Sequence, residues 1–312
     1  MQTDTSGCLR RVDICEHGQV TAEGRPARAE GESHEAWPPA PQPLPVAVAD
    51  SHCHLDMSLD TNRYGPAPEL EQALDIAESV GVDRVVQIGC DVAGAQWAVD
   101  AANHHDRVVA GVALHPNEAP RLAGSGDLQD GYDAIERLAA DERVRAIGET
   151  GLDYFRTAPE GQGVQEESFR WHIELAKRTK KALVIHDRDA HDDVVRVLLS
   201  EGPPEQVVFH CFSGGAGLAR TCAEHGWVMS FAGTVTFKSA EHIREGLSVA
   251  PIDLLLVETD APFLTPTPYR GRPNASYLIP HTVSVMSQVK GVALDDLCVA
   301  IDANTTRVFG SW

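Results

Sequence analysis

The sequence predicts an α/β fold, a (β/α)8 barrel of the TIM type preceded by an irregular N-terminal extension. Three observations support that prediction. Eight short, nearly continuous apolar runs follow one another from Val46 onward, amphipathic stretches of helical spacing separate them, and the residues best suited to chemistry sit at the ends of the runs. Apolar runs without strict alternation suit parallel strands buried on both faces. Eight strand-helix units in roughly 260 residues are what such a barrel needs.

The expected strands are Val46–Asp50 (VAVAD), Arg84–Gly89 (RVVQIG), Val108–His115 (VVAGVALH), Val144–Glu149 (VRAIGE), Ala182–His186 (ALVIH), Gln206–His210 (QVVFH), Trp227–Phe231 (WVMSF) and Leu254–Asp260 (LLLVETD). Between them, apolar residues recurring every three or four positions predict helices over 68–79, 93–103, 132–140, 165–180, 190–200, 217–225 and 239–247, with 281–290 and 294–304 closing the chain. A doubly wound open sheet is the main alternative. It would normally place a Gly-rich phosphate loop after its first strand, and here that strand runs into SHCHLD.

Residues 1–45 differ from the rest: they are rich in Glu, Gly, Ala and Pro, end in WPPAPQPLP and show no period of two or of 3.6. We read them as an irregular or partly disordered extension from which Cys8, Cys15 and Trp37 can pack on the core, and residues 46–312 as the barrel domain. Hydrophobic residues make up 43% of the 312 and charged residues 23%, ordinary values for a chain that buries a sizeable core. No apolar run approaches the roughly 20 residues of a membrane span, and the N-terminus lacks the apolar stretch of a secretory signal, so a cytoplasmic location is expected. The seven cysteines are scattered and form no CxxC pair, which argues against a disulfide framework or a zinc knuckle. A formal net charge of −20 works against a broad nucleic-acid-binding face, because that affinity usually comes from clustered Lys and Arg. Attraction of an anionic substrate would have to be local.

Candidate metal ligands terminate the runs: His52 and His54 follow the first, Glu149 ends the fourth, His186 the fifth, His210 the sixth and Asp260 the eighth. In a barrel these ends open on one face, so residues about 200 positions apart converge there. Alternate residues of an extended strand point to one side, which lets His52 and His54 address the same ion. A lone HxH among 14 histidines would carry little, but four histidines and two carboxylates at strand ends place expensive polarity at the mouth of a core.

Six ligands exceed one tetrahedral zinc and suit two divalent ions about 3.5 to 4 Å apart. The expected division puts His52, His54 and Asp260 on one ion and His186 with His210 on the other, with Glu149 as the bridge. Asp260 is also expected to orient or deprotonate the attacking water. The nitrogen-rich set favours zinc, manganese or iron over magnesium without deciding among them. Two such ions contribute about +4 against about −2 from the two carboxylates, a local excess that attracts an anion. Cys53 and Cys211 neighbour ligands, but alternation turns their side chains into packing.

The sequence resembles the TatD-type metal-dependent hydrolases, often called TatD deoxyribonucleases, through DSHCHLD (Asp50–Asp56), GVALHP (Gly111–Pro116), AIGETGLDY (Ala146–Tyr154), VIHDRDA (Val184–Ala190), FHCFSGG (Phe209–Gly215), LVETDAPFLTP (Leu256–Pro266) and NTTRVFG near the C-terminus. These motifs span Val46 to Gly310, and residues 1–45 have no counterpart among them. The resemblance implies a TIM-like barrel, a dinuclear centre on the six residues above, and metal-dependent cleavage of DNA, with no obligate protein partner. It also singles out His115 and Arg188 as pocket residues. His115 would contact substrate or support a ligand, and Arg188 would hold a phosphate oxygen through its planar fork, unless a rim salt bridge with Asp187 or Asp189 occupies it. Asp153 would orient a ligand histidine or cap the following turn. Asp187 stands where the family more usually has a small or neutral residue.

A metallonuclease is therefore the first functional reading. A hydrolase acting on an amide, lactone or small phosphoester with the same water is the second; the absence of a strand-end Lys that could be carbamylated, with Glu149 in that role, weighs against it. A barrel that has lost catalysis and serves as a scaffold is the third, opposed by the complete ligand set.

Overall fold

A computed structural model describes residues 37–58 and 68–312. Eight parallel strands lie in sequential order, β1 (Val48–Cys53), β2 (Val82–Gly89), β3 (Val108–Val112), β4 (Val144–Asp153), β5 (Ala182–Arg188), β6 (Val207–Phe209), β7 (Val228–Phe231) and β8 (Leu255–Val257). Every pair from β1·β2 to β7·β8 is parallel. This is the predicted barrel.

The helices that return the chain are α1 (Leu55–Ser58), α2 (Leu70–Glu78), α3 (Val92–His104), α4 (Glu118–Ser125), α5 (Leu128–Leu138), α6 (Pro159–Thr179), α7 (His191–Glu201), α8 (Ala216–His225), α9 (Glu241–Val249), α10 (Ile279–Lys290) and α11 (Leu294–Phe309). Their stop signals are local: α4, α8 and α10 end on Gly126, Gly226 and Gly291 in the left-handed conformation that glycine adopts without strain. Among the described residues, no helix is long and apolar enough to cross a membrane.

The strand bounds differ from the sequence expectation where the chain approaches the mouth. β1 runs on to Cys53, so His52 lies within the strand. β4 continues to Asp153 and shifts register against β5 between Ile147 and Thr150, which leaves Glu149 in the middle of a ten-residue strand. Just past the shift stands Gly151 (φ 139°), where a Cβ would collide with the carbonyl oxygen of His186. Only glycine permits β4 and β5 to approach so closely beside the site.

The seam between β8 and β1 is closed just at the mouth. Asp260 N donates to His52 O at 2.9 Å and His54 N to Ala261 O at 2.8 Å. Beneath them the buried Asp50 carboxylate accepts from Thr259 N (2.9 Å) and Thr259 Oγ1 (2.6 Å). Three of the predicted ligands, His52, His54 and Asp260, thus straddle the seam and are fixed by the bonds that close it.

Part of the N-terminal stretch docks on the barrel. Trp37 packs against the core, Leu44 is buried, Leu44 N donates to Val80 O at 3.0 Å and Tyr277 Oη to Pro38 O at 2.7 Å. Cys8 and Cys15 lie outside the described residues.

Candidate metal centre

All six predicted ligands converge on one cluster at the C-terminal mouth. His52 and His54 are buried, and their Nε2 atoms lie 3.7 and 3.5 Å from Glu149 Oε1. The same two atoms lie 3.9 and 3.3 Å from Asp260 Oδ1. On the other side of the carboxylate, His186 Nδ1 and His210 Nε2 approach Glu149 Oε2 at 2.9 and 2.8 Å. Asp260 takes a left-handed backbone (φ 53°), a conformation Asp tolerates better than most residues and one that turns the chain sharply out of β8.

Each imidazole has something behind it. His54 Nδ1 is 3.0 Å from Ile88 O, which accepts its proton and leaves Nε2 facing the cluster. His210 Nδ1 lies 3.2 Å from Glu258 Oε1, which also accepts from Cys211 N at 2.7 Å. His186 Nε2 approaches Asp153 Oδ2 at 3.3 Å, and Asp153 is held in turn by Asn117 Nδ2 (3.1 Å) and Arg156 N (2.8 Å). His52 is the exception. It is fully buried and neither of its ring nitrogens has a hydrogen-bond partner.

Ionisation follows this crowding. Burial opposes charge throughout, yet His210 and the hydrogen bonds from His186 and His210 hold the Glu149 carboxyl well below the usual carboxylate range. The His54 hydrogen bond likewise outweighs burial and lowers Asp260. The paired imidazoles move the other way: against burial, Asp260 and Glu149 raise His54 to about 9, and Glu149 and Glu258 push His210 well above its ordinary value. Burial, reinforced by the neighbouring His210, lowers His52 and keeps it neutral.

His115 also lines the site, with Nε2 3.9 Å from Glu149 Oε2 and its ring 4.5 Å from that of His186. Burial lowers it to about 3, so it is a neutral group whose Nδ1 accepts from Asn117 N at 3.0 Å. Arg188 makes no rim salt bridge: Asp187 pairs instead with His191 at 2.7 Å, and the Arg188 guanidinium stacks 4.0 Å above the exposed ring of Phe155. Cys53 turns into packing, its thiol 3.6 Å from Val86 O. The sequence reading passed over two residues of the site, Glu258 behind His210 and Cys90 beside Glu149, where the thiol lies 3.3 Å from Oε1.

The residues fit divalent ions. Ligand atoms bound at about 2.0 to 2.3 Å in a tetrahedral shell are separated by roughly 3.3 to 3.8 Å, close to the spacings among His52, His54, Glu149 and Asp260. The orphaned Nε2 of His52 belongs to this group, and a buried imidazole without partners is costly unless one nitrogen donates to a cation. The cluster is able to hold metal.

The profile of the TatD-related DNase family matches residues 49–310 of the chain. The chain belongs to the TatD family. It is 41% identical over 265 residues to the protein named "Uncharacterized metal-dependent hydrolase TatD" of Mycobacterium tuberculosis, covering 84% of this chain and 97% of that one. To the metal-dependent hydrolase YabD of Bacillus subtilis it is 35% identical over 264 residues, covering 83% and 98%. Among solved structures, a TatD homologue from Escherichia coli superposes with a TM-score of 0.74 at 24% identity, covering 84% of this chain and 97% of that one. The phosphotriesterase homology protein of Escherichia coli, whose structure holds phosphate in its active site, shares the fold at a TM-score of 0.61 and 15% identity, covering 85% and 99%. As a TatD protein the chain is a metal-dependent hydrolase, and the cluster on Glu149 is the set of residues able to hold its metal.

Proposed function

We propose that this TatD protein is a dinuclear metallohydrolase that cleaves phosphodiester bonds in DNA. The observation that carries the reading is the division of labour on Glu149, whose Oε1 faces His52 and His54 while its Oε2 faces His186 and His210. A carboxylate with histidines gathered on both oxygens is a bridge. His52, His54 and Asp260 would hold one ion and His186 and His210 the other, with Glu149 shared between them. The nitrogen-rich donors suit zinc, manganese or iron better than magnesium. Bound ions supply an acidified water and a positive field on the phosphoryl oxygens.

The chain's own groups do the rest. Asp260, at the edge of the cluster and held ionised, accepts the proton of the attacking water. Glu258 and Asp153 fix the rings of His210 and His186, and neutral His115 contacts substrate without repelling the ions. Arg188 uses only its π face on Phe155, so its N–H edge is free to take a phosphate oxygen. The loops after β7 and β8 repeat this arrangement, with Arg270 stacked 3.9 Å from the Phe237 ring and Arg272 5.7 Å from that of Tyr269. Among the described residues none of these three arginines pairs with a carboxylate, whereas Arg84, Arg107, Arg170 and Arg196, away from the mouth, all do. On a chain of net charge −20 the cations left unpaired at the mouth give an anionic polymer a local foothold.

We divide the chain into an N-terminal extension, 1–45, and a hydrolase domain, 46–312. All five described cysteines are free, in keeping with the reducing cytoplasm. The test is metal-reconstituted turnover of single-stranded DNA, duplex DNA and a simple phosphodiester, each with a chelator control. Cleavage that needs added metal is expected. Silence on all three, with turnover of a lactone or amide, would replace this reading by the small-molecule hydrolase.

A further inference from the structure

Among the strand ends at the mouth, that of β2 contributes a thiol. Cys90 follows Gly89 directly, its carbonyl accepts from His115 N at 2.8 Å, and its half-buried side chain turns toward the cluster. The Sγ lies 3.3 Å from Glu149 Oε1, the oxygen that faces His52 and His54. It is also 3.7 Å from the His54 ring, and the ligand atoms of His54, Cys90 and Glu149 all lie within 4.8 Å of one another.

We propose that Cys90 is a further metal ligand of this centre, supplying a thiolate to the ion held by His52, His54, Glu149 and Asp260. The inference rests on the metal-centre reading above and goes beyond it. With Cys90 the ion would have five ligands, and a sulfur at about 2.3 Å and a carboxylate oxygen at about 2.0 Å in a five-coordinate shell are separated by roughly 3.0 to 3.7 Å, a range that includes the distance already present between Cys90 and Glu149. His52 supplies the independent sign that a cation belongs there, since it is buried on this same side of Glu149 with both ring nitrogens unsatisfied. On loading, the S–H bond breaks heterolytically, the electron pair goes to the ion, and the proton leaves to solvent; no oxidant is involved. A soft donor in an otherwise nitrogen and oxygen set moves preference toward zinc, cadmium and cobalt and away from magnesium and manganese.

Cobalt(II) titration of the metal-free full chain reads the two levels separately. Visible ligand-field bands report that the ion is bound in an ordered low-symmetry site, and a near-ultraviolet sulfur-to-cobalt charge-transfer band reports a thiolate on it. The wild type is expected to show both, and Cys90→Ser to lose the charge-transfer band while keeping the ligand-field bands. Cys90→Ala repeats the measurement without a hydroxyl, and Cys211→Ser, beyond the end of β6, is expected to keep both. Ligand-field bands alone in the wild type overturn the thiolate and leave the metal centre standing, as does a charge-transfer band that survives in both Cys90 variants. Absence of both bands overturns the metal centre and the thiolate with it.

Discussion

The imidazoles of His52 and His210 stack face to face, with centroids 3.9 Å apart and planes 12° from parallel. Two such rings do not both become cations at this distance, and the surroundings choose: Glu149 and Glu258 favour charge on His210, and burial keeps His52 neutral. His52 is then a buried neutral imidazole without a hydrogen bond on either nitrogen, an arrangement that a divalent ion repairs. Metal loading should therefore stabilise the fold as well as activate it. With metal at about a hundred times its Kd, linkage gives about 2.7 kcal/mol, a rise of several degrees in Tm. Calorimetry with and without chelator checks this, and identical melting in both would contradict a site built on His52.

Protons compete for the same nitrogens. Without metal, His54 titrates at about 9 and Glu149 and Glu258 hold His210 well above its ordinary value, so at pH 7 both hold protons that an ion must displace. Because these values are raised, competition is strongest below them and fades as pH climbs through about 9. Apparent metal affinity should rise by about tenfold per pH unit for each proton displaced. Calorimetric titrations at pH 6.5 to 8.5 in buffers of different ionisation enthalpy count those protons directly. A pH-independent affinity with no proton release would rule out binding through these imidazoles.

Glu258 was not anticipated, and it separates positioning from ligation. Its carboxylate touches His210 Nδ1 and Cys211 N and no other ligand. Glu258→Gln keeps the shape and removes the charge. It should reduce metal affinity or turnover by about 10- to 100-fold, while His210→Ala or Asp260→Ala should remove several orders of magnitude with the fold intact. Measured metal dissociation constants beside kcat rank the three variants. Equal losses in all three would mean that Glu258 is itself a ligand.

The strand ends made most of this legible. A buried parallel strand has no apolar reason to finish on histidine, so His186 and His210 announced themselves, and alternation placed His52 beside His54. The same logic applied to LVETD would have found Glu258, two residues before Asp260 and on the same face, and applied to RVVQIGC would have found Cys90. Glu258 lies inside its run and Cys90 just past the end of its own, so neither is a histidine or carboxylate that terminates a run. Glu149 lies in the cluster although β4 does not end there but shifts register around it. The helix Glu118–Ser125 was missed because Pro120 and Gly124 mask its period. Trp37 packs on the core as its bulk and apolarity suggest, whereas the docking of Leu44 leaves no trace in an aperiodic WPPAPQPLP segment.

Arg188 offers the sharpest test of what the mouth binds. Its guanidinium lies over the Phe155 ring with no carboxylate partner among the described residues, so its removal takes away a donor and breaks no ion pair that holds the barrel together. A hydrogen bond to a charged group contributes about 1.5 to 3 kcal/mol. Arg188→Ala should therefore raise KM for an oligonucleotide by about 10- to 100-fold, with the larger effect at low salt and kcat changed far less. Arg188→Lys keeps the charge but loses the planar fork and the stack, and should recover only part of that loss. Phe155→Leu keeps the arginine and removes its platform, which frees the guanidinium to sample other rotamers and should raise KM by less than Arg188→Ala. If KM for DNA is indifferent to all three while a neutral ester responds, the mouth was not shaped for a phosphate chain.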